Sequence, residues 1–516
     1  MSSPKNSEPL VLAVDQGTSS TKAVIVDGTG SVVARASVPL GQTHPAPGWV
    51  EQDPDELLAT VERAISLACD GVAGTIVALG ISSQRESAIA WNRATGERLG
   101  PLLGWQDRRT APEARRLHAE GFDAHVRAAT GLPIDPMFSA LKFAWLLDVV
   151  DPDRRRSRAG EIAVGTVDSW IVFCLTGEHR IEVGNASRTL LLSVDTGDWD
   201  DSLLEIFNVP RAVLPRVVSS AEHTGAVTGI AALPPGVPVT AVLADSHAAL
   251  YGHGVREPGA VKVTYGTGSS IMGLLAPGAS AGQGLVRTIA WSLGTPVHAF
   301  EGNILSAGST VKWMAQILST TPEKLSALAA SVADSDGAHL VPAFAGLGAP
   351  WWDDTARGLL SGLTLGTSKE HLARAAFESI VFQVEDVLEA ADAGNDTRIR
   401  RILADGGPSA NRWLMQNQAD ISQREVLPSS VSELSALGVA DLAGSSAGLW
   451  GDGEAADSSR STEALLPKLA PGVAFDRRTA WLGAVARARG ERTRALEPGP
   501  APQRSVHPRA GRNENP

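Results

Sequence analysis

Asp15-Gln-Gly-Thr-Ser-Ser-Thr-Lys22 sets a carboxylate beside a run of small and hydroxylated residues, a pattern that could hold phosphate. A tight turn of small residues exposes backbone N–H groups, and the hydroxyls add further donors. Asp15, directly before the turn, is placed to hold magnesium through water. A second turn of the same kind occurs at Tyr265-Gly-Thr-Gly-Ser-Ser270. A plain β-turn is the bland reading of each, and the carboxylate and the pairing of two such loops weigh against it. There is no Gly-x-x-x-x-Gly-Lys-Ser/Thr sequence, so neither loop is a Walker P-loop. In Asp405-Gly-Gly-Pro-Ser-Ala-Asn411, two glycines would let a flat base approach the backbone, with Asn411 bonding to it. Alone, a Gly-Gly pair is more often simply a turn. Asp245-Ser-His247 follows the apolar run ending at Ala244, and a carboxylate at a strand end is where open α/β sheets put active groups. His247 beside it takes the commoner structural reading. Gln84-Arg-Glu86 follows another apolar run; Arg can donate to hydroxyls there and Glu accept from them, although such pairs usually sit on solvated faces. Trp105 could wall the carbon face of a polyol, although most tryptophans serve packing.

These residues need strands and helices to position them, and the chain supplies both in alternation. Leu10–Val14 is a continuous apolar run, as expected of a buried strand. Lys22–Asp27 and Ser31–Val38 follow across turns at Gly17 and Asp27-Gly28, which predicts a three-stranded meander. Asp53 is placed to cap a helix opening at Pro54, and Thr75–Ile81 is a further buried strand. The order then restarts at Ala260–Tyr265, and the echo of the Asp15 loop at 266–270 suggests a duplicated domain. His371–Ala391 carries apolar residues at helical spacing and reads as a packed core helix.

The bulk properties fit a cytosolic, soluble chain of two to three domains. Of 516 residues, 45 are basic and 57 acidic, a net charge of −12 that disfavours nucleic acid and anionic lipid as partners. Two cysteines, Cys69 and Cys174, are too few for a disulfide framework and lack zinc-ligand spacing. No apolar run approaches the roughly 20 residues that span a bilayer, and the first residues lack a signal-peptide core. Residues 491–516, rich in Pro, Gly and Arg, are expected to be a disordered tail.

Together these segments resemble the FGGY carbohydrate kinase family, its glycerol kinase branch most. The likeness rests on Asp15–Ser20, Gly48–Asp53, Ser83–Glu86, Trp105–Thr110, Thr130–Pro136, Gly165–Trp170, Asn185–Thr189, Tyr265–Gly268, Pro342–Asp353 and Asp405–Gly407. Gly358–Leu363 followed by His371–Glu378 looks like the family's second signature, and the likeness runs in order over residues 9–490. It implies an α/β fold of two duplicated actin/hexokinase-like (ribonuclease H-like) domains, 9–254 and 255–490, with a cleft between them. The implied function is ATP-dependent phosphorylation of a primary hydroxyl of glycerol or a related small polyol. By that resemblance Asp245 accepts the hydroxyl proton, and Arg85, Glu86, Trp105, Asp245, Ser246 and Met137 line the substrate site. Gly17, Thr18, Ser19, Lys22, Gly266, Thr267, Gly308, Lys312, Gly407 and Asn411 would hold ATP, with Mg2+ near Asp15. A homodimer or homotetramer in the cytoplasm is also implied.

The chain departs from the branch in the substrate shell. Lys22 stands where Arg is usual, and Met137, Ser246 and Ser270 replace Tyr, Gln and Phe. Losing polar partners in a small site can cost orders of magnitude for the old substrate. A kinase for a four- or five-carbon polyol or ketose is therefore the alternative within the family. A non-catalytic ATP-binding protein of the actin-like fold is the alternative outside it, and Arg85, Glu86 and Asp245 weigh against that reading.

Overall fold

The computed structural model describes residues 8–491 except 396, 432, 452–459 and 461. Apart from Glu491, the segment expected to be a disordered tail lies outside the described residues.

The first sheet begins with β1 (Pro9–Gln16), β2 (Ser20–Val26) and β3 (Val32–Pro39), joined as an antiparallel meander. β1 and β2 are apolar and buried, while β3 alternates half-buried and exposed residues, as an edge strand should. Helix α1 (Pro54–Cys69) opens on Asp53, whose carboxylate accepts from the Asp55 and Glu56 amides. It packs Leu57, Val61, Ala64 and Ile65 on the sheet. β4 (Thr75–Ser83) and β5 (Val239–Ala244) then add in parallel, giving the order β5-β4-β1-β2-β3.

The second sheet repeats this plan. β6 (Ala260–Tyr265) pairs antiparallel with β7 (Ser269–Leu274), and β8 (Val286–Ser292) and β9 (Pro296–Ile304) extend that side. β10 (Arg401–Asp405) and β11 (Glu425–Pro428) lie parallel to β6 on the other, giving β8-β9-β7-β6-β10-β11. An antiparallel array continued by two parallel strands occurs in both halves, with β8 as one antiparallel strand more in the second, so the echo between residues 14–20 and 263–270 marks one supersecondary unit used twice.

Helix α2 (Ser139–Val150) lies in the long segment between β4 and β5, and α3 (Asp245–Gly252) follows β5 directly. In the second half come α4 (Gly308–Ile317), the 26-residue α5 (Lys369–Gly394), α6 (Arg412–Ser422) and α7 (Leu434–Ser446). α5 is the core helix expected around His371–Ala391, two or three residues longer at each end. α3 and α7 are packed between the two sheets, in a core shared by Val11, Ala13 and Ala241 of the first and Met272 and Leu403 of the second. They nearly touch: a Cβ on Gly438 would stand 1.8 Å from the Ala248 carbonyl oxygen, so only glycine fits. α7 also closes on the first sheet, where a Cβ on Gly80 would lie 2.7 Å from the Val439 carbonyl oxygen. Thr240 Oγ1 of β5 donates to the Ala443 carbonyl at 3.1 Å.

Candidate active site

The parallel strands β1, β4 and β5 end side by side, and their ends carry Asp15, Ser82-Ser83-Gln84 and Asp245. Asp15 is buried, and Ser82 Oγ donates to its Oδ1 at 3.0 Å. Burial first, and the Asp245 carboxylate second, push its carboxyl up to about 6 against the pull of Lys22. The side-by-side strand ends place Asp15 and Asp245 around one site. Two carboxylates in a desolvated position fit a dication, which would relieve both causes of the shift. Among the described residues no group of three or more His, Cys, Asp or Glu side chains forms a protein-only metal cage. An ion here would therefore be shared with water and phosphate.

The first loop turns through Gly17–Ser19, closed by Gly17 N donating to Ser20 O at 3.0 Å. Thr18 is tied at both ends: the Trp105 indole donates to Oγ1 at 3.0 Å, and Gln52 Nε2 to the carbonyl at 2.8 Å. Ser19 is exposed and Lys22 half-buried. The second loop leaves Gly266 and Thr267 exposed, and the start of α4 leans on it. Gly308 N donates to Gly266 O and Ser309 N to Thr267 O, and a Cβ on Gly308 would come within 2.6 Å of Gly266 O. Lys312 lies exposed one turn further along α4.

The two glycines after β10 do different work. Gly406 has a φ of 87° and abuts Tyr265, where a Cβ would be 2.1 Å from the carbonyl oxygen. Gly407 has open space where its Cβ would be, so this backbone faces outward for a ligand. Asn411 does not present a free amide. Its Oδ1 caps α6 by accepting from Leu414 N at 3.2 Å, and its Nδ2 donates to Ser326 Oγ at 2.8 Å. Burial would raise the Asp405 carboxyl, but the His253 hydrogen bond at 2.8 Å and the Lys262 charge hold it below the usual range.

The substrate-side residues sit in a charge network rather than on an open surface. Arg85 forms a bidentate pair with Glu301 of β9, at 2.9 and 2.8 Å. Its Nε lies 3.5 Å from Asp245 Oδ1 and 3.7 Å from Glu86 Oε1. Arg188 donates to Glu86 Oε1 at 2.6 Å and pairs with Glu301 at 3.0 Å. Burial alone would raise the Glu301 carboxyl, yet Arg188 and Arg85 hold it well below the carboxylate range. Glu86 adopts a left-handed backbone, φ 61°, uncommon for a side chain of its size. Met137 is half-buried, and its amide donates to Asp135 Oδ1 at 2.8 Å.

Asp245 opens α3, and Ala244 before it is the N-cap, so the carboxylate is not the helix cap. Oδ1 accepts the Ser246 amide at 2.6 Å. The Asp245 side chain is 37% exposed, yet the surrounding protein desolvates it enough to raise its pKa against the pull of Arg85. His247 is fully buried, and burial drives its pKa well down. Ser246 and Ser270 are half-buried, and Ser270 Oγ has no hydrogen-bond partner among the described residues.

Sequence reasoning missed Glu301, Arg188, Lys142 and Lys262, all buried around this site. Glu301, Lys142 and Lys262 share one signal: a single charge inside an apolar run, as in Ala299-Phe-Glu-Gly302 and Ala260-Val-Lys-Val263. Such a charge must find a partner from elsewhere in the fold.

Comparison with known proteins gives the family. The model of the FGGY family of carbohydrate kinases matches residues 10–252 with its N-terminal domain and 261–447 with its C-terminal domain. The chain is 42% identical over 490 residues to a glycerol kinase of Alkalilimnicola ehrlichii, covering 93% of this chain and 98% of that one. It is 44% identical over 493 residues to a glycerol kinase of Aromatoleum aromaticum, covering 93% and 99%. Among solved structures, a Plasmodium falciparum glycerol kinase with ADP superposes with a TM-score of 0.89 at 29% identity, covering 94% and 99%.

Proposed function

Because the chain belongs to the FGGY family of carbohydrate kinases, we propose that it transfers the γ-phosphate of ATP to a primary hydroxyl of glycerol or a closely related small polyol, with Asp245 as base. It is an ATP-dependent carbohydrate or polyol kinase of the two-domain α/β kind. The observation that carries the polyol reading is the network Asp245–Arg85–Glu301, which brings a desolvated carboxylate from the first half against a charge clamp anchored in the second.

In a loose phosphoryl-transfer transition state the alcohol keeps its proton until late. Asp245 orients the hydroxyl for in-line attack, the new O–P bond forms as ADP leaves, and the proton passes to the carboxylate. Burial makes that carboxylate a stronger base than a free aspartate. The two glycine–threonine loops would meet the phosphates of ATP, and the open space at Gly407 its base. Asp15, with Asp245 close by, would hold Mg2+, which when bound supplies charge neutralisation of the phosphates. A coupled ADP-release assay across glycerol, tetritols, pentitols and ketoses tests the reading. Activity on none of them would sink it.

A second reading is favoured by Ser270, whose Oγ is unpartnered on the strand facing Asn303, and by Met137 and Ser246. By this reading a polyol longer than glycerol has the higher kcat/KM. Glycerol outperforming every tetritol, pentitol and ketose in the same screen would overturn it. Among the described residues no helix is long and apolar enough to cross a membrane. A cytoplasmic homodimer or homotetramer completes the proposal, and light scattering of the eluted protein tests the assembly.

A further inference from the structure

We propose that Lys142 is a positioning residue for the acceptor substrate: its buried amine ties the carbonyl oxygens of Glu86 and Met137 together and so fixes two walls of the polyol site relative to each other. The inference rests on the reading that these two residues line that site.

Lys142 sits in the first turns of α2 and is fully buried. Its Nζ donates to Glu86 O at 3.2 Å and, by a short contact, to Met137 O. Ser139 Oγ of the same helix donates to Glu86 O at 3.1 Å, so α2 grips that carbonyl twice. Glu86 is the residue with the left-handed backbone, and its side chain is held separately by Arg188. A conformation that costs free energy persists only where its surroundings over-determine it. Glu86 is determined from both ends, by Arg188 at the carboxylate and by α2 at the carbonyl.

The chemistry of the amine fits a tether better than an ion pair. Both of its hydrogen bonds among the described residues go to carbonyl oxygens and none to a carboxylate. Burial drives its pKa down to about 7; Glu86, Asp107 and Asp135 pull it up, and Arg108 pushes it down further. The helix N-terminus also disfavours a cation there. Charged or neutral, the amine has N–H bonds enough for both carbonyls. A methionine would nearly fill the same space but withdraw this donor from both carbonyls, leaving Glu86 O to Ser139 alone, which is the costly way to lose a hydrogen bond.

The test is steady-state kinetics on the full-length protein with the best polyol of the screen. Lys142→Met is expected to raise the polyol KM about tenfold while the ATP KM stays within about twofold. Lys142→Gln, which can reach one carbonyl, is expected to fall between. An unchanged polyol KM in Lys142→Met, or equal rises in both KM values, overturns the proposal. If Lys142→Met does not fold, Ser139→Ala decides: it removes one grip on Glu86 O and must raise the polyol KM alone, and no change overturns the proposal. A wild-type protein inactive on every polyol defeats the functional reading and this inference with it. Active wild type with an indifferent Lys142→Met defeats this inference only.

Discussion

Replacing Glu301 by Gln removes a carboxylate that two buried guanidinium groups share. Arg85 spends both Nη atoms on it, at 2.9 and 2.8 Å, and Arg188 reaches it at 3.0 Å. All three side chains are at most 10% exposed. Glu86 still balances part of the positive charge, but its Oε1 is already engaged at 2.6 Å by Arg188. Removing one partner of a buried ion pair costs about 3–5 kcal/mol, because the remaining charge is uncompensated. Here the loss also severs a bridge between β9 of the second sheet and the end of β4 in the first. With an m-value of about 3 kcal/mol per molar urea, the unfolding midpoint should fall by about 1 M or more. The polyol KM should rise too, since Arg85 Nε is steered toward Asp245 by the same clamp. Adding Arg188→Met should recover part of the lost stability by removing one orphaned guanidinium, a coupling that a double-mutant cycle measures. A stability loss under about 1 kcal/mol, or no coupling to Arg188, would refute the clamp as the link between the halves.

The Asp245→Asn variant should lose roughly a hundredfold or more in kcat with little change in ATP binding. Since Ala244 is the cap of α3, near-normal turnover would remove Asp245 from the catalytic role altogether. Asp15, lifted from 3.8 to about 6, binds a proton in the folded state that the unfolded chain lacks between those values, so its burden on stability grows as pH rises through that window. Asp15→Asn measured without nucleotide or magnesium should therefore gain more stability at pH 7 than at pH 4, by about 2 kcal/mol, and equal gains at both would contradict the assignment. In wild type, magnesium affinity should weaken below about pH 6 as Asp15 takes up its proton, readable by isothermal titration with MgATP.

Local chemistry was legible in the sequence, and long-range pairing was not. Asp15, Asp245 and the Gly406-Gly407 pair sit at strand ends because apolar runs stop there, and the period and the turn residues are both written locally. The meander, the α1 cap at Asp53 and the repeated hairpin follow for the same reason. Arg85 and Glu86 were expected to grip hydroxyls directly. Their engagement with Glu301 and Arg188 depends on residues 216 and 102 positions away, which no local pattern reports. Asn411 reads as able to bond to a base beside the double glycine, and its side chain instead caps α6 and meets Ser326, a partner 85 positions away. Lys142 and Lys262 left a trace as lone charges in apolar stretches, but a trace of that kind gives the need for a partner and not its identity.

The helix Leu434–Ser446 closes over strands of the first sheet, although some 200 residues separate it from the end of β5. During synthesis the face carrying Val11, Ala13, Ala78 and Ala241 must therefore wait for its cover. At about 5–20 residues per second that wait lasts roughly 10–40 s, with greasy β-surface open to neighbouring chains. The first 254 residues made alone would never receive the missing helix and should aggregate. Supplying residues 255–491 as a separate chain should rescue their solubility, and the two pieces together would then amount to one folding unit cut in two.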